Sequence, residues 1–571
     1  RTLAQAWLDG DPDPEDRAEL RGLLAAAGEP GDEGRAAAAD LASRFAGRLE
    51  FGTAGLRGPI GAGPSRMNTA VVRAATAALA GWLRERAPSA PAAGVVIGCD
   101  ARHRSDRFAD EATAVLAGAG IRVHLLPRPC PTPLLAFAVR HLAAAAGVMI
   151  TASHNPPADN GYKLYLGDGA QLIPPADEQI EAAIARPGPG PAPAGRLDGP
   201  LVTRHGDEIA EAYLTAVTAA SPPPAPLAGP AAPPPLRVVY TPLHGVAGRL
   251  AVRAIERAGY PPPRLVTAQA VPDPDFPTVA FPNPEEPGTL SLALAEARQA
   301  GADLVLANDP DGDRLAVAVP AAGAPGGWQV LTGDQVGCLL GAYLLERTAA
   351  WPAPGRRLVA TTVVSSTMLG KIAAAAGSRY AETLTGFKWI VRAAGTVPGS
   401  RFVFGYEEAL GYAVGETVRD KDGISAALAV LSLAASARAA GQTLLDRWDV
   451  LEAAHGVHLT GQVTAAGLAP GEVMSRLRAR PPDALAGQPV TGSTDLAADG
   501  TGLPRSDVLS YRLPGARVVI RPSGTEPKLK VYLEVVEPAG ARPLAAARAA
   551  AVARLGPLRA AATGLVGAAP G

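Results

Sequence analysis

Short apolar runs, each ending in a polar loop, constrain this chain more than any other feature. Val95–Cys99 and Leu304–Ala307 carry no charge and no alternation. A strand that is apolar at every position must be covered on both faces, which is the condition of a parallel sheet under helices. Helical spacing follows the first run from Asp106 to Ala119, with Ser105 as the expected N-cap and Gly120 as the stop. Ile121–Leu126 reads as the next strand, Leu134–Leu142 as a helix and Val148–Thr151 as a further strand. The same rhythm restarts at Leu236–Thr241, with a helix near Ala247–Ala258 and a strand at Asp303–Ala307. It restarts again with a helix at Asp334–Arg347, a strand at Leu358–Val364 and a helix at Ile424–Ala440. The end differs: Val518–Ile520 and Leu529–Val535 flank a turn and precede an Ala-rich helix from Leu544, the pattern of a small α+β domain.

A chain of 571 residues is too long for one core. Proline-dense stretches at Arg186–Gly195 and Ser221–Pro235 resist helix and central strand and read as linkers, and Pro320–Gly327 is a third break. The expected domains are 1–222, with an N-terminal helical extension, then 223–327, 328–462 and 463–571. Charge is balanced, 53 basic residues against 54 acidic, so no global field points to nucleic acid or to an anionic membrane. No run is long and apolar enough to cross a bilayer, and Arg1–Leu20 has no apolar signal core. Cys99, Cys130 and Cys338 are widely spaced, which fits buried thiols in a reducing cytoplasm better than a disulfide or zinc framework.

Four loops carry chemistry. In T-A-S-H-N-P, Thr151–Pro156, Ser153 and His154 follow an apolar strand, where open α/β sheets bind ligands. A serine hydroxyl is a weak nucleophile and needs a base or a metal. In D-P-D-G-D-R, Asp309–Arg314, three carboxylates at alternating positions around Gly312 suit a hard cation such as Mg²⁺. An EF-hand fails there, because its sixth and twelfth positions would be Arg314 and Pro320. A phosphohydrolase with Asp309 as nucleophile remains a rival on that loop alone. The third region holds T-G-F-K-W, Thr385–Trp389, and G-Y-E-E-A-L-G-Y, Gly405–Tyr412, whose carboxylates suit sugar hydroxyls. The fourth, R-P-S-G-T-E-P-K, Arg521–Lys528, has the composition of a phosphate cradle.

Together, and in this order, the loops resemble those of the α-D-phosphohexomutase family. F-G-T-A-G-L-R-G (Phe51–Gly58), D-N-G-Y-K (Asp159–Lys163), T-L-T-G-F-K-W (Thr383–Trp389) and E-E-A-L-G-Y (Glu407–Tyr412) are similar to its phosphoglucomutase branch with phosphopentomutase activity. Many members carry serine where this chain has Ala409, a position that bears on sugar preference. The resemblance implies an α/β fold of four domains around a central cleft: three related mixed α/β domains and a C-terminal α+β lid. It implies a mutase that interconverts sugar 1-phosphate and 6-phosphate, or pentose 5-phosphate, through a phosphoserine and a bisphosphate.

By the same resemblance Ser153 is the phosphoryl donor. Asp309, Asp311 and Asp313 hold Mg²⁺, with the phosphorylated Ser153 as a further ligand. Arg57, Arg314 and His154 surround the transferring group, and Lys163 carries a proton. Lys388 and Glu407 hold the sugar, and His244 lines the cleft. Arg521, Ser523, Gly524, Thr525 and Lys528 grip the phosphate that stays put. A sugar bisphosphate is the expected activator, a phosphosugar the expected ligand, and the expected state a monomer or homodimer with neither nucleic acid nor membrane as partner. Phosphomannomutase activity is the alternative within the class. A metal-dependent phosphohydrolase would leave Ser153 and the Arg521 loop without purpose, and a non-catalytic sugar-phosphate binder would not need the intact serine and aspartates.

Overall fold

The computed structural model describes residues 1–50, 55–185, 194–221, 235–523, 528–540 and 542–567. Phe51, most of both expected linkers, Gly524 and Thr525 therefore lie outside the described residues. The chain divides into two compact units: 1–222, 235–318 and 417–428 form one, and 223–234, 319–416 and 429–571 the other.

The first unit opens with three helices, Thr2–Gly10, Pro14–Ala26 and Asp32–Arg44. Asp13 caps the second by accepting from Glu15 N, with Pro14 at the first helical position where its missing N–H costs nothing. Ala4, Leu8, Leu20 and Leu41 pack against Ala62. A six-stranded sheet follows, in the order Leu56–Pro59, Asp159–Leu166, Ala146–Ile150, Val95–Cys99, Val123–Leu125, Val202–Arg204. The central strands are parallel and the first two antiparallel. Val95, Ile97 and Cys99 face a core shared with Val72, Leu79, Phe108 and Leu116 from the helices Thr69–Arg86 and Ser105–Gly118. Gly98 faces the other way, toward Cys130 and Leu135. Every position of this strand is buried, which is why it does not alternate.

Ser105 is not the N-cap. The helix begins at Ser105, Arg104 before it takes a left-handed φ of 62°, and the Ser105 hydroxyl donates to Asp100 Oδ1. A second sheet places Leu315–Pro320, Leu304–Asn308, Val238–Thr241 and Arg264–Leu265 side by side. The strands Ala146–Ile150 and Leu304–Asn308 each end at a chemistry-bearing loop.

The second unit holds a four-stranded sheet, Arg379–Thr383, Arg357–Thr362, Arg401–Glu407 and Gly411–Val414, in that order. A five-stranded sheet there is antiparallel throughout: Val457–Ala466, Lys528–Glu537, Ala516–Pro522, Leu509–Leu513, Gly492–Asp495. There Val518, Ile520, Leu529, Val531, Leu533 and Val535, at strand spacing, meet Ala547, Ala551, Leu558 and Ala562 of the last helix at helical spacing. Cys99, Cys130 and Cys338 are buried free thiols, as expected. Among the described residues no single helix is long and apolar enough to cross a membrane.

Candidate active site

In the first unit the serine and aspartate loops meet. Ser153 sits just past the strand Ala146–Ile150 with φ +54°, a left-handed conformation that a side-chain-bearing residue adopts only when its surroundings impose it. Its hydroxyl donates to Asp309 Oδ2 at 2.6 Å and lies 3.1 Å from His154 Nδ1. Asp309 Oδ1 accepts from the backbone N–H of Arg314, so one carboxylate bridges serine and loop. Gly312 turns this loop with φ +75°, and a Cβ there would stand 2.7 Å from the Ala247 side chain. Glycine is required on both counts.

Asp309, Asp311 and Asp313 are all buried, and each offers an oxygen within 4.8 Å of the others. Lys163, on the strand Asp159–Leu166, donates to Asp311 Oδ2 at 2.6 Å and Asp313 Oδ2 at 2.9 Å. Burial alone would depress the Lys163 ammonium, but Asp311 and Asp313 more than reverse that, and it stays charged. Burial would likewise raise the Asp313 carboxyl; Lys163 and Lys421 hold it low instead. Asp311 is the partner pushed up, by burial and by the charge of Asp313. Asp311 Oδ1 and Asp313 Oδ1 are buried with no hydrogen-bond partner. A buried oxygen left unpaired is costly, and two such oxygens from hard carboxylates beside Asp309 fit a divalent oxygen-seeking cation.

Arg57 reaches the same place from the strand Leu56–Pro59 and donates to Asn155 Oδ1 at 3.3 Å. Burial weakens its hold on the proton, against the attraction of Asp311 and Asp313. Burial, then the charges of Arg314 and Arg57, push His154 well below the usual imidazole range, so it is neutral. The Arg314 guanidinium pairs with Glu285 at 3.2 Å. His244 is buried, but its ring pairs with Thr278 Oγ1 at 2.8 Å; its loop meets the aspartate loop through Val246 N and Pro310 O.

Three contributors escaped the sequence reading. Lys421 Nζ stands 3.2 Å from Asp313 Oδ2. Its neighbours fix it: Asp420 accepts from Tyr165 and Gln171, Asp422 accepts from Tyr213, and Gly423 N donates to Gly312 O. A Cβ on Gly423 would lie 2.3 Å from both Arg314 O and Asn308 Nδ2, so the segment packs directly on the aspartate loop. Asn308 Nδ2 donates to Arg314 O and its Oδ1 accepts from Tyr240. Thr132 donates its hydroxyl to Asp311 Oδ2 at 2.6 Å. The run R-D-K-D-G, Arg419–Gly423, was the available signal for Lys421.

In the second unit the strand Arg401–Glu407 runs into the G-Y-E-E-A-L-G-Y segment. Glu407 Oε1 accepts from Gly386 N at 2.8 Å, which ties it to the short helix Phe387–Ile390 bearing the buried Lys388. Glu408 Oε2 accepts from the hydroxyls of Ser365 and Thr362. Arg521 is the penultimate residue of the strand Ala516–Pro522 and donates to the Tyr532 hydroxyl at 3.4 Å, and Ser523 N donates to Lys528 O at 2.8 Å.

Comparison with known proteins bears on the whole chain. Four models of the phosphoglucomutase/phosphomannomutase family match in order: alpha/beta/alpha domain I at 48–189, domain II at 211–323, domain III at 332–451 and the C-terminal domain at 477–551. A probable phosphomannomutase of Haemophilus influenzae is 41% identical over 82% of this chain and 93% of its own length. A phosphopentomutase of Mus musculus is 34% identical over 94% of this chain and 90% of its own. The crystal structure of a phosphoglucomutase/phosphomannomutase family protein from Burkholderia thailandensis superposes with a TM-score of 0.68 at 20% identity, covering 90% of this chain and 97% of that one, and shows the shared fold. With all four domains in order, and a serine, three aspartates and a lysine gathered in one buried cluster, the chain belongs to the phosphoglucomutase/phosphomannomutase family and is a phosphosugar mutase, an intramolecular phosphotransferase.

Proposed function

We propose that the chain moves a phosphoryl group between two hydroxyls of one sugar by way of Ser153, with Mg²⁺ held by Asp309, Asp311 and Asp313. The observation that carries this reading is the 2.6 Å contact of the Ser153 hydroxyl with Asp309 inside the carboxylate cluster. When bound, Mg²⁺ spreads the charge that builds on a phosphoryl group in flight. The phosphoryl leaves Ser153 Oγ for one sugar hydroxyl, and that hydroxyl's proton ends on Ser153 Oγ, relayed through the Lys163 ammonium, which gives up one proton as it takes the other. The bisphosphate so formed turns round and returns its other phosphoryl to Ser153, so a sugar bisphosphate activates enzyme that lacks phosphate. Arg57, Arg314 and Lys421 add positive charge around this path, and neutral His154 is a hydrogen-bonding neighbour of Ser153.

Glu407 and Lys388 read the sugar, and Arg521, Ser523 and Lys528, with Gly524 and Thr525 beyond the described residues, hold the resting phosphate. His244 acts through its loop, since its ring is engaged by Thr278. Domain boundaries near 222, 327 and 462 assign one such task to each domain. Glucose 1-phosphate and a pentose 1-phosphate are the proposed substrates, with mannose 1-phosphate less favoured. Support comes from the relative named phosphopentomutase, which aligns over 94% of the chain, and from Ala409, which offers no hydroxyl to a sugar. The protein with 41% identity carries a phosphomannomutase name, so mannose 1-phosphate is the second reading.

A coupled assay over hexose and pentose 1-phosphates, with bisphosphate added, tests the substrate. Ser153→Ala tests the mechanism: turnover should fall by several orders of magnitude while divalent-cation binding, measured calorimetrically, persists. Near-normal turnover would return Asp309 as nucleophile.

A further inference from the structure

Arg102 lies in the loop after the strand Val95–Cys99, is 4% exposed, and takes no part in the chemistry above. Its guanidinium is spent on one object, the main chain of the serine loop. One terminal nitrogen donates to Ser153 O at 2.7 Å and to Asn155 O; the other donates to Pro156 O at 2.7 Å and Asp159 O at 3.1 Å. Four carbonyls from a seven-residue stretch thus converge on one side chain. Asp100 is the counter-charge, 3.5 Å from Arg102 Nε, and is itself fixed by Arg102 N and the Ser105 hydroxyl. Phe276 covers the guanidinium face, with the cation 4.9 Å from the ring centre. The side chain is therefore locked by charge, by hydrogen bonds and by packing.

The loop it holds needs such a lock. Ser153 has φ +54°, and a left-handed residue with a side chain is retained only where its surroundings over-determine it. Within the loop, Thr151 Oγ1 accepts from Ser153 N and Ala152 O accepts from Asn155 N. The carbonyl of Ser153 itself is taken by Arg102. We infer that Arg102 is the positioning residue of the phosphoryl-transfer serine: its planar fork gathers the carbonyls of Ser153, Asn155, Pro156 and Asp159 and so holds the Ser153 hydroxyl against Asp309. A lysine ammonium is a point donor with three protons and cannot meet four carbonyls arrayed around the rim of a planar fork. Asn155 extends the arrangement, because Arg102 takes its carbonyl while Arg57 donates to its side chain. This inference rests on Ser153 as phosphoryl carrier.

The test uses full-length Arg102→Lys and the charge-balanced double variant Asp100→Asn/Arg102→Gln, which leaves no buried ion unpaired. Each is compared with wild type for melting temperature, divalent-cation affinity, kcat and KM for glucose 1-phosphate, and the rate of Ser153 phosphorylation by sugar bisphosphate, followed by intact mass. Misplacing a reacting atom by about 1 Å costs on the order of 100-fold in rate. In folded protein, kcat and the phosphorylation rate should therefore fall about 100-fold, while KM and cation affinity stay within about threefold. A purely structural role would lower melting temperature and leave kcat per folded molecule unchanged; that result overturns the inference. So does failure of both variants to fold, which would make Arg102 a determinant of the fold and not of the loop. Ser153→Ala assayed alongside separates the two readings. If it stays active, the phosphoserine reading fails; if it is inactive while both Arg102 variants turn over normally, only the positioning role fails.

Discussion

Lys163→Met should make the first unit dependent on a divalent cation for stability. Lys163 Nζ is buried and lies 2.6 Å and 2.9 Å from carboxylates of Asp311 and Asp313. At an effective dielectric constant of about 20, each contact has a gross attraction of roughly 6 kcal/mol. Several kcal/mol of that is offset by the cost of taking the ammonium out of water. Removing one member of a buried ionic cluster leaves the other charges uncompensated, and the usual cost is about 3–5 kcal/mol. Methionine matches the lysine stem in volume, so the loss is electrostatic. For a unit of about 300 residues this corresponds to a drop of roughly 5–8 °C in melting temperature. A divalent cation replaces the missing positive charge, so adding Mg²⁺ should raise the melting temperature of the variant more than that of wild type. Scanning calorimetry of both proteins, in chelator and in excess Mg²⁺, reads all four values. A chelated variant melting within about 1 °C of chelated wild type would refute the argument that Lys163 neutralises the cluster.

Arg521→Ala should raise KM for sugar phosphates about tenfold or more, the loss of one charge-assisted grip, and should spare Ser153 phosphorylation more than turnover; an unchanged KM removes the loop from the site. Glu407→Ala should lower kcat/KM for hexose and pentose substrates alike by about 1–3 kcal/mol, whereas Ala409→Ser should shift the ratio between them; equal ratios before and after would detach residue 409 from sugar choice. Burial drives the Asp16 carboxyl up to about 6 against the pull of Arg104. A raised carboxyl contributes stability that is complete below an unfolded value near pH 4 and is lost as pH rises through about 6. Asp16→Asn should accordingly be more stable than wild type by about 1–2 kcal/mol at pH 7.5, allowing for solvent screening, and no more stable at pH 4. A gap that does not change with pH would show that Asp16 does not titrate there.

The legible parts were those written in local pattern. Val95–Cys99 is a strand because an unbroken apolar run needs cover on both faces, and it has it. The aspartate loop was legible because three carboxylates round a glycine have few stable uses without a cation. The extent of the cluster was not legible, because its neutralising charges come from afar. Lys421 is held by Tyr165, Gln171 and Tyr213 through Asp420 and Asp422, contacts that span more than two hundred residues and leave no periodic trace. Ser105 misled for the opposite reason. It has the right residue type for a cap, but its hydroxyl is drawn off by Asp100. Glu407 and Glu408 looked equivalent in sequence; the fold separates them by giving Glu408 the Ser365 and Thr362 hydroxyls and Glu407 the Gly386 amide.

The first unit is discontinuous in the chain, and its last piece is residues 417–428. At a synthesis rate of about 5–20 residues per second, roughly 5–20 s separate the emergence of Asp313 from that of Lys421. Through that interval the nascent unit has its sheet and its serine loop, but Asp313 has only one of its two ammonium partners and Tyr165 and Tyr213 lack their carboxylates. The carboxylate cluster is thereby completed only after residues 319–416 of the second unit have been made. The order of synthesis itself holds back the last neutralising charge of the carboxylate cluster until that stretch of chain exists.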